Sequence, residues 1–147
     1  MNRRINIILT VIAVLGLLCG CRGATAQSQD NMCEKQPMQP GGIVRLSKIR
    51  VNPEYLEEYM AFATEVGTVS LQTEPGVLTM YAVADKDNPC NITILETYAS
   101  EEAYRAHIAS NHFQKYKQGT LHMVDSLLLD DVTPLNPANR IINYVQE

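Results

Sequence analysis

Glu96 and Tyr98 stand two residues apart in the run Asn91–Ala99, so on an extended chain they share a face with Ile92 and Ile94. A carboxylate on a mostly apolar face is either an acid or base whose proton affinity burial has raised, or a group paired at a sheet edge. Tyr98 either lines the same site or packs with its hydroxyl tied to a neighbour. His107 follows Ala103 by four residues and Tyr104 by three, in a short helical stretch. Its imidazole either exchanges a proton with a ligand or bonds a free carbonyl at the helix end. His112 comes five residues later, across a break expected at Ser110-Asn111. A histidine pair that shares a metal on one helix face prefers a spacing of four, so no metal is expected. Met80, Tyr81, Phe113 and Tyr116, with His112, would suit a pocket for an aromatic molecule and would equally suit an ordinary core. His122 reads as a surface or interface residue. No glycine-rich phosphate loop, nucleophile elbow or dinucleotide fingerprint accompanies them, so hydride and phosphoryl transfer are unsupported.

The elements that must position these residues are legible from period and punctuation. Gly42 to Val51 is dense in branched apolar residues interleaved with polar ones and reads as a strand. Asn52 then caps a helix with Pro53 at its first position, and Glu54, Glu57 and Glu58 favour the positive end of its dipole. The helix is expected to reach about Thr73, burying Leu56, Tyr59, Ala63, Val66 and Ser70, with Gly67 weakening its second half. Glu74-Pro75-Gly76 ends it. Val77 to Ala84 and Asn91 to Ala99 form a hairpin about Asp85-Lys86-Asp87-Asn88-Pro89. Ser100-Glu101-Glu102 caps a short helix to about Ala109, and a second one runs from Ser110-Asn111 to Gln118, where Gly119 stops it. Leu121 to Val132 is the last strand.

This β-α-β-β-α-α-β order fits an α+β, ferredoxin-like, four-stranded antiparallel sheet with helices on one face. The first, third and fourth strands carry apolar residues on both faces, so the uncovered face calls for a homodimer with two-fold symmetry, a dimeric α+β barrel.

The N-terminus bears on compartment. Met1-Asn2-Arg3-Arg4 is a short cationic start, and Ile5 to Leu18 is almost wholly apolar. That is the plan of a signal peptide, too short for a stable transmembrane helix. Leu18-Cys19-Gly20-Cys21 resembles the bacterial lipobox, with Cys21 as the lipidated residue; an ordinary cut near Ala24-Thr25-Ala26 is the other reading. Either exports the protein, and the first anchors it by lipid to a membrane of the bacterial envelope. Residues 1–20 are then signal, 21–41 a polar, flexible tether, 42–134 one domain and 135–147 a tail. Loss of Arg3 and Arg4 leaves 10 Lys and Arg against 16 Asp and Glu, so nucleic acid is not an expected partner. Cys33 and Cys90 could pair in an exported compartment, although Cys33 must then reach the far end of the sheet along a nearly extended chain.

Three patterns together resemble the antibiotic biosynthesis monooxygenase family: Glu74-Pro75-Gly76-Val77-Leu78, Glu96-Thr97-Tyr98 before Ser-Glu-Glu-Ala, and His107-Ile108-Ala109-Ser110-Asn111-His112-Phe113. The resemblance spans about Gly42 to Pro134. It implies a dimeric ferredoxin-like fold with a pocket between sheet and helices, in which a small phenol, quinol or anthrone-like ring is oxidised by molecular oxygen without a cofactor. The family places the short helix of His107 over that cavity, which implies His107 as the base, with Glu96 and Tyr98 orienting the substrate. Proton removal is what such a reaction needs, since a phenolate gives an electron to oxygen where the neutral ring does not. The haem-degrading branch fits least: Tyr98 stands where that branch has a tryptophan, and Phe113 to Tyr116 offers no second histidine. Two other readings stay open. One is a non-catalytic ligand-binding lipoprotein of the same fold. The other is an isomerase of sugar phosphates, for which the basic anchors on offer, Arg45 and Lys48, point to opposite faces of their strand.

Overall fold

The computed structural model describes residues 32–135. The expected signal segment, the lipidation site Cys21 and the tail beyond residue 135 lie outside the described residues. Within them run β1 (Ile43–Val51), a 3₁₀ turn (Pro53–Tyr55), α1 (Leu56–Thr73), β2 (Val77–Ala84), β3 (Asn91–Tyr98), α2 (Glu101–Ala109), α3 (Asn111–Thr120) and β4 (Val124–Asp131). The strands form one antiparallel sheet in the order β2-β3-β1-β4, the ferredoxin-like α+β arrangement that the element order predicts.

On β1 the residues Ser47, Ile49 and Val51 are buried while Lys48 and Arg50 are exposed, the alternation of a strand with one face against helices. Asn52 ends it and accepts a hydrogen bond from the backbone N–H of Glu54 at 3.0 Å, closing the 3₁₀ turn ahead of α1. Tyr59, Val66 and Ser70 are the buried positions of α1, and Ser70 Oγ donates to the Val66 carbonyl at 2.7 Å. Glu74 takes an extended conformation, as a residue before proline must, and α1 stops. Ser100 caps α2, and Ser110 both ends α2 and caps α3, its Oγ accepting from Phe113 N–H at 3.3 Å.

Two boundaries differ from expectation. Gly119 does not stop α3, which continues to Thr120; a Cβ there would sit 2.6 Å from the Phe62 ring, so the glycine permits close approach of α1 and α3. The last strand begins at Val124, because Leu121 to Met123 form a turn held by Met123 N–H on the Thr120 carbonyl at 2.9 Å.

The core lies where β1 ends and β3 begins. Ile49, Val51, Tyr59, Ile92 and Met123 form one buried cluster, with Leu56, Phe62 and Val124 packed on it. Full burial of Ile49, Val51, Ile92 or Met123 contributes about 1.5–3 kcal/mol each.

Residues 32–41, expected to belong to the tether, carry no helix or strand, yet they are tied to the domain. Cys33, Gln36 and Gln39 donate backbone hydrogen bonds to the carbonyls of Gln72, Pro75 and Ala99. Lys35 Nζ reaches the Leu71 and Glu74 carbonyls at 2.5 and 3.0 Å, so a cation meets the negative end of α1. Polar composition did not preclude this, because main-chain hydrogen bonding is available to any sequence. The same placement corrects the Cys33–Cys90 pairing within one chain. Cys33 is fixed beside the last turn of α1, whereas the Cys90 carbonyl accepts from Val51 N–H just ahead of its start. The helix between them is about 27 Å long, far beyond disulfide reach, and both are free thiols. No helix among the described residues is long and apolar enough to cross a membrane.

Candidate active site

A cavity of about 140 Å³ lies between the helix-facing side of the sheet and the three helices. Period-2 alternation brings Arg45 and Ser47 of β1, Met80 of β2, and Ile94, Glu96 and Tyr98 of β3 to its floor. His107 of α2 and Phe113 and Tyr116 of α3 form its roof.

On the floor Ser47 Oγ donates to Glu96 Oε1 at 2.5 Å, and the Tyr98 hydroxyl donates to Glu96 Oε2 at 2.7 Å. Both carboxylate oxygens are therefore engaged. Burial, and next the negative charge of Glu96, holds the Tyr98 phenol well above its ordinary range, so it stays protonated and donates. Tyr59 and Tyr116 place their hydroxyl oxygens 2.7 Å apart, and burial pushes both phenols up as well.

In the roof, His107 is 1% exposed, and its Nδ1 is 2.9 Å from Glu74 Oε1. The same oxygen is 2.6 Å from Nε2 of His112, which also lies 3.1 Å from Ser110 Oγ. Burial raises the proton affinity of Glu74, but the hydrogen bonds from His107 and His112 outweigh it and hold the carboxyl below its ordinary range. In a neutral His107 ring, an ionised Glu74 selects the tautomer with the proton on Nδ1, and Nε2 then carries the lone pair of a cavity-lining ring. The ring is wedged against Phe113 at 4.9 Å and Tyr98 at 5.4 Å between centroids, which fixes its direction.

The structure thus brings Glu96, Tyr98, His107, Met80, Phe113 and Tyr116 together around one cavity. Two expected lining residues are elsewhere. Tyr81 follows Met80 on an extended strand, so it must face away; it is 55% exposed. His112 stands behind His107 on Glu74 and does not line the cavity. The spacing of five does not keep the two imidazoles apart, because Ser110 breaks the helix between them. Their nitrogens and a Glu74 oxygen all lie within 4.8 Å of one another, a donor set suited to a divalent transition ion and already joined by hydrogen bonds. His122 is exposed, with its ring edge-on to Tyr55 at 5.1 Å.

Sequence reading missed the part taken by Glu74, Ser47 and Arg45. Glu74 was legible as punctuation before proline and as the first residue of a family-like pattern, and no periodic spacing links it to His107, 33 residues on. Arg45 Nε donates to Asp131 at 2.7 Å, and its guanidinium lies 4.6 Å over the Tyr104 ring. The hydrogen bond to Asp131 raises the arginine's proton affinity and lowers that of the carboxyl.

A family model described as antibiotic biosynthesis monooxygenase matches residues 42–119. Among solved structures, a candidate antibiotic biosynthesis monooxygenase from Bacteriodes thetaiotaomicron VPI-5482 is 54% identical, with a TM-score of 0.68 over 69% of this chain and 97% of that one. A candidate monooxygenase from Lactobacillus acidophilus NCFM is 29% identical, with a TM-score of 0.63 over 66% of this chain and 46% of that one. One from Nitrosomonas europaea is 16% identical, with a TM-score of 0.62 over 71% of this chain and all of that one, which speaks to the fold alone. No curated protein matches the chain.

Proposed function

We propose, because the chain belongs to the antibiotic biosynthesis monooxygenase family, that it is a cofactor-independent monooxygenase of a small electron-rich aromatic, a phenol or quinol, with His107 as its base. The observation that carries this reading is the His107 ring in the cavity roof, held at Nδ1 by Glu74. Nε2 takes a hydroxyl proton from the ring. The resulting anion transfers electrons to dioxygen; one oxygen atom forms a new C–O bond and the other leaves as water, so that a quinol becomes a hydroxyquinone. Glu96, fixed by Ser47 and Tyr98, orients the ring. Arg45 is paired with Asp131, which weighs against an anchor for a phosphorylated sugar.

Oxygen uptake by the chain from Arg22 onward, with a panel of hydroquinols and polyphenols, tests this. Uptake is expected to fall about 10²–10⁴-fold in His107→Ala. One observation favours the binding-module reading: both oxygens of Glu96 already accept hydrogen bonds from Ser47 and Tyr98, which suits a fixed acceptor for a ligand better than a group that exchanges a proton. Ligand binding with no oxygen uptake from any member of the panel would transfer the assignment to that reading.

The outer face of the sheet exposes Tyr81, Val83 and Leu128, which supports a homodimer through that face. Leu128→Glu is expected to turn a dimer into a monomer on sedimentation; a monomeric wild type refutes the dimer. Lipid anchoring at Cys21 in the bacterial envelope is tested by radiolabelled fatty acid, which should enter the wild type and not Cys21→Ala.

A further inference from the structure

The candidate active-site cavity adjoins a second hollow. A groove of about 330 Å³ runs between α1 and the edge strand β2, and it shares the walls Ala63, Gly67, Met80 and Ala82 with the cavity. On α1 its remaining walls are Met60, Thr64, Thr68 and Leu71, a stripe at helical spacing one step round from the buried one. The two hollows differ in chemistry. Arg45, Glu96, Tyr98 and His107 all belong to the first. Among the described residues, the second has one titratable residue along its walls, Tyr81, which borders it on the edge strand while its side chain turns to the outer face.

Gly67 stands at the junction. A glycine inside an 18-residue helix destabilises it relative to alanine, so its presence asks for a reason. Backbone conformation gives none, since Gly41 is the glycine with positive φ among the described residues. Close packing gives none either: a Cβ at Gly67 would meet nothing within 4 Å, unlike those at Gly76 and Gly119. What the missing side chain leaves is open space where the two hollows adjoin.

We infer that the groove is a binding subsite for an apolar chain carried by the aromatic ring in the cavity, so that the ligand class is an alkyl- or alkenyl-substituted phenol or quinol. The inference rests on the reading that the first cavity holds the ring. The polar groups then meet the hydroxyls, the apolar groove meets the chain, and Gly67 lets the bond between them through.

Calorimetric titration of the chain from Arg22 onward with hydroquinones bearing straight alkyl chains of increasing length tests this. Affinity is expected to rise up to about fourfold for each methylene buried and then level off as the groove fills. Gly67→Leu occupies open space with a better helix former, so its melting point should equal or exceed the wild type's while its affinity no longer rises with chain length. Thr64→Glu, on an exposed position, should weaken only the longer members. Affinity that ignores chain length, or a rise that survives Gly67→Leu, overturns the subsite. A rise seen with plain alkyl alcohols and lost in Gly67→Leu, when unsubstituted hydroquinone does not bind, upholds the subsite and refutes the ring reading. A Thr64→Glu change that alters self-association and leaves the series untouched would make the groove a seat for a second copy, and would also overturn it.

Discussion

Along β1 the side chains facing the helices run Arg45, Ser47, Ile49, Val51, and along β3, in the opposite direction, Tyr98, Glu96, Ile94, Ile92. The register sets Arg45 against Glu96, Ser47 against Ile94 and Ile49 against Ile92. One face of two paired strands is thus polar at one end and apolar at the other. At the apolar end Tyr59 and Met123 close over it and leave the core cluster solid. At the polar end the roof stands off and leaves the cavity. The difference teaches that the site is a continuation of the core in which side chains carry hydrogen-bonding groups and stop short of filling the space. The rigid half holds the geometry that the hollow half uses.

The comparison breaks most visibly at the solid end. Met123→Ala removes a fully buried side chain and is expected to cost about 2–5 kcal/mol in urea unfolding. A loss well under about 1 kcal/mol would mean that the packed end is no tighter than the hollow one. Next comes Glu74→Gln, which weakens the two histidine contacts and should cost about 1–3 kcal/mol near neutral pH. Its pH dependence has a definite sign. The folded carboxyl lies below the ordinary value of 4.5, so its contribution is present above that value and disappears as pH falls through the folded one. The gap between wild type and Glu74→Gln in urea midpoint should therefore close in acid. A constant gap contradicts the assignment.

Ser47→Ala sharpens the comparison on the floor. It leaves Glu96 with Tyr98 alone, and the expected loss is about 0.5–1.5 kcal/mol, with a raised KM for any substrate that Glu96 orients. Lys115→Ala, which removes the half-exposed pair with Glu65, should stay within about 1 kcal/mol of the wild type in thermal melts.

Much of this arrangement was legible in the sequence because it is locally encoded. The alternation through Ile92, Ile94, Glu96 and Tyr98 and the stripe through Tyr59, Val66 and Ser70 depend on neighbours a few residues away. Glu74, His107 and His112 meet only after a helix turns, a hairpin forms and a second helix packs back, so their hydrogen bonds have no local pattern. Tyr81 shows a finer limit. Adjacent strand residues point their side chains oppositely, so Met80 and Tyr81 turn theirs to different faces of the sheet, yet composition alone does not say which one meets the cavity under the helices. Gly119 shows another, since a glycine within a helix signals breakage as readily as it signals the nearness of Phe62.

The ordered strap of residues 32–41 bears on where a recombinant protein should begin. A chain started at Gly42, where the family match starts, would lack Lys35 and with it the cation seated on the carbonyls of Leu71 and Glu74. Glu74 is also the residue whose side chain steers His107. An expression boundary drawn from sequence similarity would therefore loosen the last turn of α1 and, through one residue, the base of the proposed reaction, and an inactive truncated product would say nothing of the protein's chemistry.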